Sequence, residues 1–213
     1  MNNLQKRILT SVIIFPLSVY FIYSGGKLLQ FFLLVIFFVT NYEIFLVFRK
    51  KSIILILNLL LIFSFYILYQ FRVAVPFHIL FWVIILSIFS DIGGYVFGKL
   101  FKWKKFTKIS PNKTFSGVLG SFIFSIFSLF MMYLLDSIFY LDYNYLELKL
   151  FFLSLILSLV AQIGDLAISF VKRIEKVKDT GKVLPGHGGI LDRIDGLMFV
   201  VLFAFVLYKF EIF

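Results

Sequence analysis

Two aspartates three residues apart, Asp192 and Asp195, stand at the mouth of an apolar run, directly after a tight Pro185-Gly186-His187-Gly188-Gly189 turn. Two more, Asp91 and Asp165, lie inside earlier apolar runs. Carboxylates gathered in one place repel each other, and their natural counter-ion is a divalent metal. All-oxygen ligation in a chain without cysteine points to Mg2+ or Mn2+ rather than zinc. Lys113, Lys172, Arg173, Lys178 and Arg193 are spaced among these acids and suit phosphate oxygens. Metal, carboxylates and fixed cations together describe phosphoryl or nucleotidyl transfer. The same charges could instead pair with one another in a rigid loop, and spacing alone leaves both readings open.

The stretch Ser169 to Asp195 is a polar island, holding six Lys/Arg and four Asp/Glu in a chain that is 62% hydrophobic. At 100° per residue, Ser169 and Lys172 fall within about 40° of Asp165. One helical stripe is therefore expected to run from a buried carboxylate through a hydroxyl to a cation. Lys178-Asp179 opens the loop that follows, and Gly186, Gly188 and Gly189 allow backbone N–H groups to turn toward an anion. Asp192 and Asp195 share a face if helix has begun by then. Upstream, Ser110-Pro111-Asn112-Lys113-Thr114 precedes an apolar run. Hydroxyls and an ammonium at a helix start make a phosphate cradle, although Ser and Thr also cap helices routinely. Asp91 is expected to line a polar cavity, while Gly94 and Gly98 form a small-xxx-small pair suited to close helix packing.

These residues need a scaffold, and composition says of what kind. With 31 phenylalanines among 213 residues and a mean hydropathy of +1.03, lipid must be the solvent for most of the chain. The absence of cysteine excludes disulfides, thiolate metal sites and Cys nucleophiles. Lys6 and Arg7 precede an apolar run, but no small-residue cleavage site follows, so no cleavable signal peptide is expected. Apolar runs fall at 8–24, 28–48, 53–70, 75–97, 117–135, 150–171 and 196–210, each near the roughly 20 residues of a spanning helix, the last being short. Alternating sides puts 17 Lys/Arg on one side and 4 on the other. That bias places the N-terminus and both long basic loops in the cytoplasm. The expected fold is an all-α polytopic membrane bundle of about seven transmembrane helices, in one domain. Gly25-Gly26 and the 71–76 turn could alternatively be re-entrant. In the apolar front, residues 1–75, Glu43 is the one acid, expected to pair with Arg49 or Lys50, the alternative being an intramembrane acid with a functional role.

The ordered elements Ser169-x-x-Lys172-Arg173, Lys178-Asp179, Leu184-Pro185-Gly186-His187-Gly188-Gly189 and Asp192-Arg193-x-Asp195 closely resemble the signature of phosphatidate cytidylyltransferases. Asp91-x-Gly93-Gly94-Tyr95, Ser110-Pro111-Asn112-Lys113-Thr114 and Gly164-Asp165-Leu166 resemble further elements of that family, so the catalytic region covers 87–197. The resemblance implies transfer of a cytidylyl group from CTP to phosphatidic acid, giving CDP-diacylglycerol and pyrophosphate in a bacterial cytoplasmic (inner) membrane. A related anionic lipid such as an ether-lipid phosphate is the alternative acceptor, and a non-enzymatic transporter or scaffold the alternative class. It implies Mg2+ (or Mn2+), with K+ beside it, bound by Asp165, Asp192 and Asp195. It gives Lys172, Arg173, Lys178, Asp179 and His187 catalytic positions, His187 as a positioning group. It gives Asp91, Ser110, Lys113, Thr114, Ser169, Gly186, Gly188, Gly189 and Arg193 contact with substrate phosphates. No nucleic acid is implied, membrane lipid is, and a homodimer is compatible with it. Two departures stand out: Ser116 and Ile168 occupy positions where the family carries acids.

Overall fold

The computed structural model describes residues 3–212, apart from 108, 109, 111, 112, 142, 178, 182 and 185–187. Helix follows helix in chain order: α1 (Asn3–Ser24), α2 (Gly26–Val47), α3 (Lys51–Ala74), α4 (Phe77–Phe101), α5 (Phe115–Phe139), α6 (Leu148–Ile174) and α7 (Leu191–Lys209). Each apolar run has become one helix. The helices outreach the runs because a backbone already paired i to i−4 continues through polar residues at no extra desolvation cost. By length and composition α2 to α6 can cross a membrane, and Leu9–Ser24 forms a shorter apolar helix in α1. Helix α7 is the shortest at 19 residues and carries Asp192 in its first turn. Among the described residues there is no strand, only isolated bridges between Lys105 and Thr114 and between Leu184 and Gly188.

Contacts between helix ends establish the alternation. At one end, which bears the long basic connections, Glu175 after α6 accepts the backbone N–H groups of Arg49 and Lys50 at 3.2 and 3.1 Å. At the other end Tyr208 of α7 donates to the Ala74 carbonyl, and His78 of α4 lies against Tyr143 and Tyr145. The chain doubles back at Gly25, where positive φ values of 62° and 52° at Gly25 and Gly26 let Phe21 stack on Phe32 at 4.7 Å. That break is a hairpin of two helices.

Arg72 fastens this hairpin to the bundle. Its Nε and Nη2 donate to the carbonyls of Ile22 and Tyr23 at 2.8 and 2.9 Å, capping groups that the end of α1 leaves unpaired. Helix α1 contributes little else to the core, Ile22 being its one fully buried apolar side chain among the described residues. Arg72→Met should therefore loosen α1 by about 1–3 kcal/mol. The expected signature is faster hydrogen exchange around residues 18–24 in detergent, with α4 to α6 unchanged; unchanged exchange there would contradict the capping role.

Two buried clusters fill the interior. The larger is centred on Phe71, Leu80, Trp82, Met132, Leu157 and Val200. The smaller lies under the basic end and contains Ile44, Phe48, Leu57, Ile168, Leu191 and Met198. Helices α4 and α5 make the most extensive pair, and glycine permits it. A methyl on Gly93 would land on the Gly120 carbonyl oxygen, and one on Gly120 would strike the Gly93 carbonyl and Phe97. Gly94 faces Ser121 and Gly98 faces Thr114, so the expected small-residue packing face is real. Serines tie α4 to both neighbours: Ser90 and Ser158 of α6 share a hydrogen bond of 2.8 Å, and Ser121 of α5 donates to the Ser90 carbonyl. Gly164 against Phe199 and Gly196 against the Ala161 carbonyl bring α6 and α7 together as well, though less tightly than α4 and α5.

Candidate active site at the basic end

The connection between α4 and α5 folds back on itself. Phe106 donates its N–H to the Lys113 carbonyl at 2.8 Å and Phe115 donates to Lys104 at 3.1 Å, which presents Lys113 at the start of α5. Its Nζ meets Asp165 Oδ2 at 2.6 Å and the Gln162 carbonyl at 3.1 Å. The stripe expected along α6 is present: Ser169 donates to Asp165 Oδ1 at 3.4 Å, and Lys172 lies two turns on, only 7% exposed. Asp91 is open to the surface, and the charges of Asp165, Lys113 and Arg193 act on it. Asp195 is 6% exposed and feels the charges of Asp165, Lys172 and Asp91. Elements far apart in the chain thus converge on Asp165.

Asp192 sits in a second cluster. Lys172 Nζ is 2.8 Å from its Oδ1, while Thr180 and Gly189 donate backbone N–H groups to Oδ2 at 2.8 and 3.3 Å. Helix has begun at Leu191, as the shared-face expectation required, yet the two aspartates do different things. Asp192 gathers the neck of the loop, and Asp195 faces the other carboxylates. Lys178, Gly186 and His187 lie outside the described residues, as do Pro111 and Asn112 of the upstream motif. Gly188, at φ +87°, donates no side chain but accepts the Leu184 N–H at 3.0 Å, closing the loop on itself.

Several residues have local work as well. Thr114 is the N-cap of α5: its hydroxyl accepts the Gly117 N–H at 3.1 Å and contacts Ser116 at 2.9 Å. Ser110 is half-buried, and its carbonyl accepts the Lys113 N–H. Arg173 is exposed and donates to the Val177 carbonyl at 3.1 Å; Asp179 and Arg193 are exposed at the rim. Ile168 points into the smaller apolar cluster, where a carboxylate would have been desolvated. Glu43 corrects an expectation. It does not turn to Arg49 or Lys50 but is 1% exposed and accepts the Ile190 N–H at 2.7 Å through Oε2. Nothing local in the sequence signals that contact, which joins residues 147 positions apart.

No group of three Asp, Glu, His or Cys among the described residues comes together closely enough to hold a metal ion by itself. Mg2+ asks for less: one or two carboxylates, with waters and substrate phosphates completing its shell. The donor chemistry of Asp165 and Asp195, all oxygen and mutually repelling, fits that demand; the partners of Asp165 are side chains that can turn away, whereas Asp192 also holds two backbone N–H groups of the loop neck.

Residues 54–211 match the cytidylyltransferase family. The chain belongs to that family. Phosphatidate cytidylyltransferase of Staphylococcus haemolyticus is 42% identical over 137 residues, covering 64% of this chain and 46% of that protein. The enzyme of that name from Staphylococcus saprophyticus subsp. saprophyticus is 44% identical over 113 residues, 53% of this chain and 42% of its own length. That of Staphylococcus aureus is 42% identical over 125 residues, 58% and 46% of the two chains. The matched part thus spans less than half the length of these relatives. Within the cytidylyltransferase match lie Asp91, Lys113, Asp165, Lys172, Asp192 and Asp195; Glu43 precedes it.

Proposed function

We propose that this cytidylyltransferase-family protein transfers the cytidylyl group of CTP to phosphatidic acid. A phosphate oxygen of phosphatidate attacks the α-phosphorus of CTP, the bond from that phosphorus to the bridging oxygen breaks, and pyrophosphate leaves with the electron pair. The observation that carries this reading is the 2.6 Å contact of Lys113 with Asp165, which brings the α5 motif onto the α6 motif beside Asp195. Asp165 and Asp195 would hold Mg2+, or Mn2+ in its place, and the ion when bound neutralises phosphate charge developing at the leaving oxygen. K+ belongs to the same reading and would draw on the same oxygen donors.

The chain's own residues supply position. Lys113 and Lys172 present ammonium groups that can pass from carboxylate to phosphate, and Arg173 and Arg193 stand at the rim. Asp192 keeps the loop neck closed through Thr180 and Gly189. The attacking phosphate is already ionised at neutral pH, so no general base is required of His187. The basic end faces the cytoplasm of a bacterial cell in this reading, supported by the 17 to 4 distribution of Lys/Arg and by CTP being water-borne. The acyl chains stay in the bilayer between helices.

Purified protein given labelled CTP, Mg2+ and phosphatidic acid is expected to release pyrophosphate and form a labelled lipid. No release from folded protein would remove the proposal, and release only with an ether-linked phosphatidate would move it to that lipid. The homodimer is part of the same reading and is tested by the mass of the detergent-extracted protein.

A further inference from the structure

Glu43 is the one acid of the apolar front half, and its carboxylate is buried where a charge is expensive. It contacts both sides of one loop neck. Oε2 accepts the Ile190 N–H at 2.7 Å. Oε1 lies against Gly181, where any methyl would overlap it, and a methyl on Gly189 would meet Oε2 at 2.9 Å. Asp192 takes the N–H groups of Thr180 and Gly189 in the same neck. The neck, Thr180-Gly181 on its incoming side and Gly189-Ile190 on its outgoing side, is thus held by two carboxylates on different helices. Each of them satisfies backbone donors that a loop in that position would otherwise leave unpaired. Glycine at 181 and 189 leaves room for the Glu43 carboxylate.

We propose that Glu43 is a positioning residue: a latch on α2 that fixes the 180–190 loop and, through Ile190 and Leu191, the start of α7 on which Asp192 and Asp195 ride. Ile190 immediately precedes α7 and gives its carbonyl to the N–H groups of Arg193 and Ile194, so displacement of Ile190 displaces that first turn. Leu191 is 0% exposed and packs in the same cluster as Ile44, the residue after Glu43, so apolar contact reinforces the polar one. Glu175 bolts the α2–α3 turn to the end of α6, which gives the latch a fixed mounting. The hydrophobic front half thereby reaches the site through one hydrogen-bonding side chain.

What this inference says of rate rests on the cytidylyl-transfer reading; what it says of the loop does not. Trypsin can cut after Lys182, between the two sides of the neck. In Glu43→Ala, cleavage there is expected to speed up about tenfold or more, since a buried donor loses its acceptor. The wild-type rate in that variant would overturn the latch. Glu43→Gln keeps a carbonyl oxygen facing the Ile190 N–H, and is expected to restore both slow cleavage and activity to within about threefold. Cleavage as fast as in Glu43→Ala would overturn the hydrogen-bonding role. With CTP as the varied substrate, Glu43→Ala should lower kcat/KM about tenfold, while KM for phosphatidic acid stays put. A changed lipid KM with unchanged CTP kinetics would overturn the positioning role. Gly181→Ala provides a second handle should Glu43→Ala fold poorly. Its methyl strikes Glu43, so it should open the loop in wild type and add nothing in the Glu43→Ala background; additive effects would sink the contact. If wild type shows slow cleavage and no transfer, the transfer reading fails and the latch stands.

Discussion

Replacing Asp195 by asparagine is expected to remove cytidylyl transfer by about a thousandfold or more, equivalent to about 4 kcal/mol at the transition state, while the protein folds and inserts normally. The reason lies in what surrounds the carboxylate. Asp165 and Asp192 each hold a lysine, but Asp195 takes only the Gly196 N–H, at 2.9 Å, among the described residues. It is 6% exposed and lies within reach of the negative charges of Asp165 and Asp91. In the proposed reading, a buried acid in such company serves a cation that arrives with substrate. Asparagine has the same shape and no charge, so the variant loses repulsion as well as function, and its thermal midpoint should stay level or rise. Asp192→Asn gives the contrast. It strands Lys172, buried at 2.8 Å from its partner, and breaking such a pair costs about 3–5 kcal/mol. Activity and thermal midpoint should therefore fall together at Asp192 and separate at Asp195. The pair of pyrophosphate assays and melting curves decides it, and normal turnover in Asp195→Asn would end the assignment of a metal to this carboxylate.

Gly93→Ala should be the most damaging single methyl added to this chain. Its obstacle is the backbone of another helix, the Gly120 carbonyl, together with Phe124 Cβ at 2.7 Å. Side chains can rotate away from an intruder; a carbonyl in a helical ladder cannot move without its whole helix. Overpacking costs about 1–3 kcal/mol in ordinary cores, and a backbone collision belongs at or above the top of that range. The consequence reaches the site because α4 carries Asp91 and α5 begins at Thr114 beside Lys113. Spreading the two helices should pull Lys113 from Asp165 and lower activity in whatever protein still folds. Gly94→Ala is the internal control, since its one tight contact is the Ser121 hydroxyl at 2.8 Å, a side chain rather than a backbone, with the Gly117 carbonyl at an ordinary 3.7 Å. Equal thermal midpoints for the two variants would mean that the seam is looser than these distances say.

Much of the fold was legible because apolar runs of spanning length have few other options. The basic loops were legible as one end because a membrane sorts Lys and Arg so strongly. The Asp165–Ser169–Lys172 stripe followed from helical periodicity, a local rule. What escaped was long-range pairing. Nothing near Glu43 suggests that its partner is the N–H of Ile190, and adjacent Arg49 and Lys50 were the natural expectation. Those two residues offer their backbone to Glu175 instead. Asp192 and Asp195 looked equivalent on a helical wheel, and only the loop folded over one of them separates their roles. Thr114 carried both of its readings in the sequence; the cap is what the geometry displays. Ile168 read as a missing acid, but apolar neighbours from α2, α3 and α7 surround it.

The two lysine–aspartate pairs, at 2.6 and 2.8 Å, have one more implication. An arriving anion finds no vacant ammonium at Lys113 or Lys172 and must evict a carboxylate to gain one. An ion carrying a single phosphate replaces one partner and leaves an aspartate stranded. In the proposed reading, a nucleotide that brings several phosphates together with its own metal would satisfy lysine and aspartate in the same exchange. On that reading, discrimination against the abundant small anions of the cell would need no separate filter, because it would reside in the swap of partners itself.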